Sequence, residues 1–259
     1  MARLSCSAPR LAALAGLMLL AACAGTDATP SAPTASATAG APSLTPQATA
    51  SPTATAAPEV AVVLLSARPF HEPGDHAHRN YCGAGATEVL LSVWEADVPG
   101  LETVARAAHL DPTSGQTGAD TAAAINGFLA PVVRPALGAD RYSGAHVARI
   151  TDLYAWLRRD LLDRDATRLF GHAVPVMVQT MTRTMPGWYR WNATHMITIV
   201  GIDLRHDDAA VDVVTYAETP SAPDGYRGPD FQTITVRALW TAMQQFLTDS
   251  PRDPINLIG

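Results

Sequence analysis

Between Ala24 and Pro58 the chain is built almost wholly from Ala, Thr, Pro, Ser and Gly, with Asp27 its one charge and Leu44 its one large apolar side chain. Such a stretch lacks the apolar surface that could offset the entropy of ordering it, so it reads as a disordered tether. Its average reach is on the order of 30 Å. Folding is thereby confined to residues 59–259, which fit one domain of ordinary size.

Ahead of the tether, Arg3 and Arg10 give a positive start and Leu11 to Ala22 a short apolar run. The run falls short of the ~20 apolar residues a spanning helix needs, and it suits the core of a secretory signal. It ends in Leu20-Ala21-Ala22-Cys23, which resembles the lipobox of bacterial lipoproteins. The resemblance implies a signal peptide over 1–22 and a lipidated Cys23 as the mature N-terminus. The tether then runs over 23–58, and the domain over 59–259 is held outside the cell on the outer face of the membrane. Of the 3 cysteines, Cys6 then leaves with the signal and Cys23 is capped, so Cys82 is the one thiol of the mature domain. A disulfide framework is excluded. The net charge is −6 and every cation is Arg, with no basic run, so nucleic acid is not an expected partner.

Periodicity divides the domain in two. Val60 to Leu65 reads as a first strand, followed by a polar loop from Arg68 to Tyr81. Helices are expected over Cys82–Trp94, Leu101–Leu110 and Ala119–Leu129, with a fourth marked by Ile150, Leu153, Leu157 and Leu161. Strands follow at Ala173–Met181, His195–Leu204 and Ala210–Glu218, the last two joined by a turn over 205–208. A last helix spans Val236–Leu247. Helices first and an antiparallel sheet after them make an α+β layout.

Cys82 stands at an expected helix start, followed by Gly83-Ala84-Gly85-Ala86. A helix N-terminus presents unpaired N–H groups and a partial positive charge, a setting that favours an anionic sulfur and hence a nucleophile. A small thiol packed in the core is the equal alternative. His195 opens an apolar strand, where a structural role is the commoner one. Hairpin pairing supplies a third member. If the 205–208 turn closes the hairpin, opposed residues sum to 413 or 414, and His195 faces Glu218 or Thr219. Glu218 is then expected to accept the imidazole Nδ1–H and leave the other nitrogen to a thiol. A slip of one residue would turn Glu218 to the other face.

These residues carry a resemblance. Asn80-Tyr81-Cys82-Gly83-Ala84-Gly85-Ala86 resembles the N/D-x-C-G-x-A segment of papain-like cysteine peptidase family thirty-nine, the bacteriocin-processing, double-glycine leader peptidases and their secreted relatives. Gly115 to Asp120 with Ala124 to Leu129 is similar to its "GT…LN" segment, and Thr194 to Asp203 to its "HYVVVVGYD" strand. Val214 to Thr219 lies where the family ends a strand in Asp. The four segments keep the family's order across roughly 70–247. The resemblance implies a papain-like fold, with an N-terminal helical half and a C-terminal antiparallel sheet half. It further implies Cys82 as nucleophile, His195 as general base and then acid, and Glu218 as orienting acid in place of the usual Asp or Asn. The family's oxyanion-hole Gln, six residues before the Cys, is His76 here, a donor of at most one N–H when neutral.

The expected function is cleavage of a peptide or amide bond at the cell envelope by a Cys–His–Glu hydrolase acting as a monomer on a peptide or protein substrate. The alternative is a degenerate relative that binds peptide or cell-wall material without turnover. His71, Glu72, Asp75, His76 and His78 crowd one loop and offer ligands that suit zinc, but no spacing among them is diagnostic. A solvated loop, with no metal and no cofactor, is the expectation. Trp188, Tyr189 and Trp191 either line a cleft beside His195 or pack onto the core.

Overall fold

The computed structural model describes residues 61–259 other than 96, 190 and 221–224. The expected signal peptide, Cys23 and the tether lie outside the described residues. The elements, in chain order, are β1 (Val62–Leu64), α1 (Cys82–Trp94), α2 (Leu101–Ala107), α3 (Gly118–Leu137), β2 (Gly144–Ala145), α4 (Ile150–Leu161), α5 (Arg164–Phe170), β3 (Val176–Met181), β4 (Thr194–Asp203), β5 (Val213–Ala217), β6 (Phe231–Thr235), α6 (Val236–Asp249) and β7 (Leu257–Ile258). The architecture is α+β: helices with a seven-stranded sheet in the order β2-β7-β3-β4-β5-β6, and β1 added to β4. Every pairing described is antiparallel. Among the described residues no helix is long and apolar enough to cross a membrane.

Alternation along the strands feeds two apolar clusters. Val176, Val178, Ile197 and Ile199 pack with Leu153 and Leu157 of α4 and Leu239 and Met243 of α6. Met177 and Met196, one residue out of phase, pack with Ala84, Leu90 and Leu91 of α1 and Ile125 and Leu129 of α3. A period-two strand sends successive side chains to opposite faces, so one central strand serves both clusters. Leu90 and Leu91 are fully buried, each worth roughly 1.5–3 kcal/mol over exposure. A hydrogen bond joins the layers as well: the buried Thr198 hydroxyl donates to the Ala86 carbonyl at 2.6 Å. It ties the first turns of α1 to β4, three residues from His195.

Several expectations change. The third helix runs on through Pro131 and Pro135 to Leu137, past the expected stop at Leu129. Each proline costs one intrahelical donor, and both lie on the exposed side. The short helix α5 and the strands β2, β6 and β7 had no periodic signal long enough to announce them. The hairpin register also differs. Its connection runs from residue 204 to 212 rather than 205 to 208, because the buried Asp212 carboxylate organises it, accepting from the His206 and Asp208 N–H groups and from the Tyr154 hydroxyl. Pairs near the turn sum to 416, as in Ile202 with Val214, and outer pairs to 415, as in Thr198 with Ala217. The step between them is a bulge at Val200, whose carbonyl instead takes the Leu65 N–H at 2.7 Å.

Candidate active site

Cys82 is the first residue of α1, and no side chain caps that helix end. Its opening N–H groups therefore remain available, as the first four of any helix are without intrahelical partners. The helix reaches its position because small residues permit close approach: a Cβ at Gly83 would stand 2.6 Å from the Gln116 side chain, and one at Gly85 3.1 Å from Thr219. Ala84 and Ala86 are fully buried beside them. The Cys82 residue itself is partly exposed. It faces a cleft of about 290 Å³ whose wall also includes Glu72, Gln116, Gln179, Trp188 and His195. A second cavity of about 430 Å³ continues the groove past Gln116 and Gln179 toward residues 249–253.

His195 is the second residue of β4 and is 4% exposed. Its Nε2 lies 2.8 Å from Glu218 Oε2, and the Cys82 side chain, in the same cleft wall, lies near enough to favour the charged ring. With Nε2 committed to the carboxylate, Nδ1 is the nitrogen left for the thiol, the reverse of the sequence expectation. The register is the reason. Continuing the outer pairing by one place sets Glu218 across from Ile197, so His195 and Glu218 are diagonal neighbours rather than a directly opposed pair. Diagonal positions lie about 7–8 Å apart, a gap that only the far ends of long side chains close. The extra methylene of Glu and the distal imidazole nitrogen meet that requirement.

Glu218 is fully buried, and its second oxygen is also taken: Trp188 Nε1 donates to Oε1 at 3.0 Å. The Trp188 ring stands edge-on to His195, with centroids 5.0 Å apart. One indole thus covers the ring and holds the carboxylate, keeping water from both. Trp188 was foreseen only as one of three loop aromatics. The signal that could have singled it out is that a buried carboxylate needs donors for both oxygens.

Burial is the largest influence on His195 and disfavours its charged form, but the Glu218 carboxylate and then the Cys82 sulfur, as an acceptor for the charged ring, oppose it. The net result lifts the imidazole well above its ordinary value.

The structure does not bring His76 to this site. The residue is exposed, lies outside the cleft wall, and its Nε2 accepts from the Arg79 guanidinium at 2.8 Å. The expected oxyanion contact from it is therefore absent, since the short 3-10 turn over His76–His78 aims the ring into solvent. The other two histidines of the loop are paired as well: His78 lies 2.7 Å from both Asp75 and Glu102, and His71 lies 3.0 Å from Asp230. Among the described residues no three metal-ligating side chains converge. No family model matches the chain, and no curated protein matches it either.

Proposed function

We propose that the folded unit is a papain-like thiol hydrolase of peptide or amide bonds, anchored outside the cell through lipid on Cys23. The observation that carries this reading is the buried His195, held through Nε2 by Glu218 with its other nitrogen left to Cys82, at the wall of an open cleft. A nucleophile at a helix start and a base on a sheet strand, oriented by a third group, is the arrangement that acyl transfer through a thiol needs. It is also the arrangement of papain-like peptidases, with which the segments around Cys82, His195 and Glu218 share their pattern.

In this reading His195 holds the proton of Cys82 and the sulfur attacks the substrate carbonyl carbon. The amine leaves with the proton returned by His195, and a thioester remains on Cys82. Water, deprotonated by the same imidazole, then attacks the thioester and frees the acid and the thiol. Glu218 stabilises the imidazolium at each transfer and fixes the tautomer. Trp188 shields the His195–Glu218 bond, which strengthens it in a low-dielectric setting.

Alkylation of Cys82 by iodoacetamide across pH tests the reading. A rate that declines only below about pH 5 indicates a thiolate–imidazolium pair; a single midpoint near 8.5 indicates an ordinary thiol and ends the hydrolase reading. The displacement of His76 from the cleft favours one second reading, a relative that binds peptide without turnover. Hydrolysis of a peptide library by the full chain, set against the Cys82→Ala protein, separates the two.

A further inference from the structure

With His76 turned away, the cleft lacks the side-chain donor that the resemblance implies for it. Another amide occupies the wall next to Cys82. Asn80, two residues before the thiol, donates through Nδ2 to the carbonyls of Pro112 and Thr113 at 2.7 and 2.8 Å. This clamps the 111–115 turn, closed by reciprocal Asp111–Gly115 backbone hydrogen bonds, against the segment that carries Cys82. Gly115 ends that turn at φ +82, a left-handed conformation that glycine adopts freely. Thr117 then caps α3. Gln116, fixed between turn and cap, packs so closely on Gly83 that no side chain fits there unless it shifts: a Cβ would lie 2.6–2.8 Å from its Cδ, Cγ and Nε2.

The bonding of that amide is incomplete. Nε2 donates to Thr121 Oγ1 at 2.7 Å, while Oε1 is buried and has no hydrogen-bond partner among the described residues. A buried polar atom left unpaired in a cleft wall is costly and marks a place where a partner is wanted. Rotation of the amide by half a turn exchanges its ends. Oε1 then takes the Thr121 hydroxyl, which at present donates to the Thr117 carbonyl. That carbonyl keeps the Thr121 backbone N–H at 3.0 Å. The NH2 group then takes the unpartnered place that Oε1 now holds, in a residue of the cleft wall packed on the first turn of α1.

We propose that Gln116 is the side-chain oxyanion donor of this site, acting with the Cys82 backbone N–H. The assignment rests on the hydrolase reading and deepens it. As the sulfur bonds to the substrate carbonyl carbon, with the Cys82 proton already on His195, the carbonyl π pair moves onto oxygen. Gln116 Nε2 and the Cys82 N–H receive that charge. Collapse of the adduct returns the pair, breaks the bond to the leaving group and gives it the proton from His195.

The test compares two reactions of one thiol in the full chain. Acylation by p-nitrophenyl acetate passes through an oxyanion; alkylation by iodoacetamide does not. The wild-type protein is expected to release nitrophenolate in a burst that Cys82→Ala abolishes. Gln116→Ala is expected to slow acylation by about 10²–10³-fold while the alkylation rate and its pH profile stay as in wild type. Gly83→Ala pushes aside only the flexible end of Gln116, so it folds and loses acylation in the same way. His76→Ala changes neither reaction. Acylation at the wild-type rate in Gln116→Ala overturns the assignment, and so does parallel loss of both reactions, which marks a structural role. A wild-type thiol that alkylates with the acid-shifted profile but never acylates overturns this assignment alone. One that alkylates as an ordinary thiol overturns the hydrolase reading with it.

Discussion

Two histidine-bearing regions flank Cys82, and they use the same chemistry to opposite ends. On the sheet side, His195 and Glu218 are buried, paired with each other, and sealed by Trp188. On the loop side, His71 pairs with Asp230, His76 with Arg79, and His78 with both Asp75 and Glu102, all near the surface. His78 is held with both ring nitrogens against carboxylates, a geometry that both sides satisfy only when the ring carries two protons. The hydrogen bond to Asp75, then that to Glu102, lifts its proton affinity. Water screens such exposed pairs, so they add little stability. Around His195 no bulk water competes, so the carboxylate decides the charge of the ring against a large desolvation penalty. Burial, not residue type, separates a candidate base from a surface latch.

The sharpest way to break this comparison is to remove each ring in turn. His195→Ala is expected to lower acylation of Cys82 by about 10²–10⁴-fold, the usual contribution of a positioned base. His78→Ala is expected to leave that rate near wild type. Equal losses measured with p-nitrophenyl acetate would erase the distinction between the two sides.

Glu218→Gln sharpens it next. In the wild-type protein the His195 ring is expected to titrate well above 6.5, read by NMR of labelled imidazole. In the variant burial acts without the carboxylate to oppose it, and the midpoint moves down. The sign for stability is set by the raised folded value. The contribution of this pair is complete below about pH 6.5 and is lost as pH rises through the folded value. Chemical denaturation at a series of pH values should show that dependence flatten in Glu218→Gln. A midpoint that stays in place would mean that Glu218 does not set the charge.

Trp188→Phe keeps a ring over His195 but strands the Glu218 oxygen that Trp188 now serves. A loss of roughly 1–3 kcal/mol by urea denaturation is expected, and an unchanged midpoint would argue that the indole N–H is replaceable there.

The smallest effect belongs to the loop. His78→Ala should lower the melting temperature slightly at pH 5 and less at pH 9, because the raised affinity of His78 makes its contribution complete at low pH and lost as the ring deprotonates. Added salt should shrink the difference further. A larger effect at pH 9 would reverse the assigned charge state.

Much of the α+β layout is legible in the chain. The helix at Cys82–Trp94 announces itself by Val89, Leu90, Val93 and Trp94, and its boundaries coincide with those of α1. The hairpin of β4 and β5 is written in two apolar runs around a polar turn. Other parts carry little local signal. Strands β2 and β7 are two residues each and exist because residues 257–258 lie between β2 and β3. Trp188 and Gln116 sit in connections, where no period marks a residue and contacts come from distant segments. His76 illustrates the converse: a position implied by the family resemblance, which the local 3-10 turn directs outward.

What the sequence determined by itself is which residues are local partners: a thiol at a helix start, a histidine at a strand start, an acid at the far end of the next strand. The period of each segment encodes those facts, because burying one face of a helix or strand requires it. What only the tertiary structure decided is how they meet. If the register near the turn ran on unbroken, Glu218 would fall opposite Thr198 and point away from His195. The bulge at Val200 absorbs one residue and restores the shared face. That bulge forms where β1 joins β4, with Leu65 taking the Val200 carbonyl and Gly201 admitting the β1 backbone, since a Cβ there would lie 2.9 Å from the Val63 carbonyl oxygen. A contact between segments more than a hundred residues apart in the chain thus sets which face the acid takes, and no local pattern can encode it.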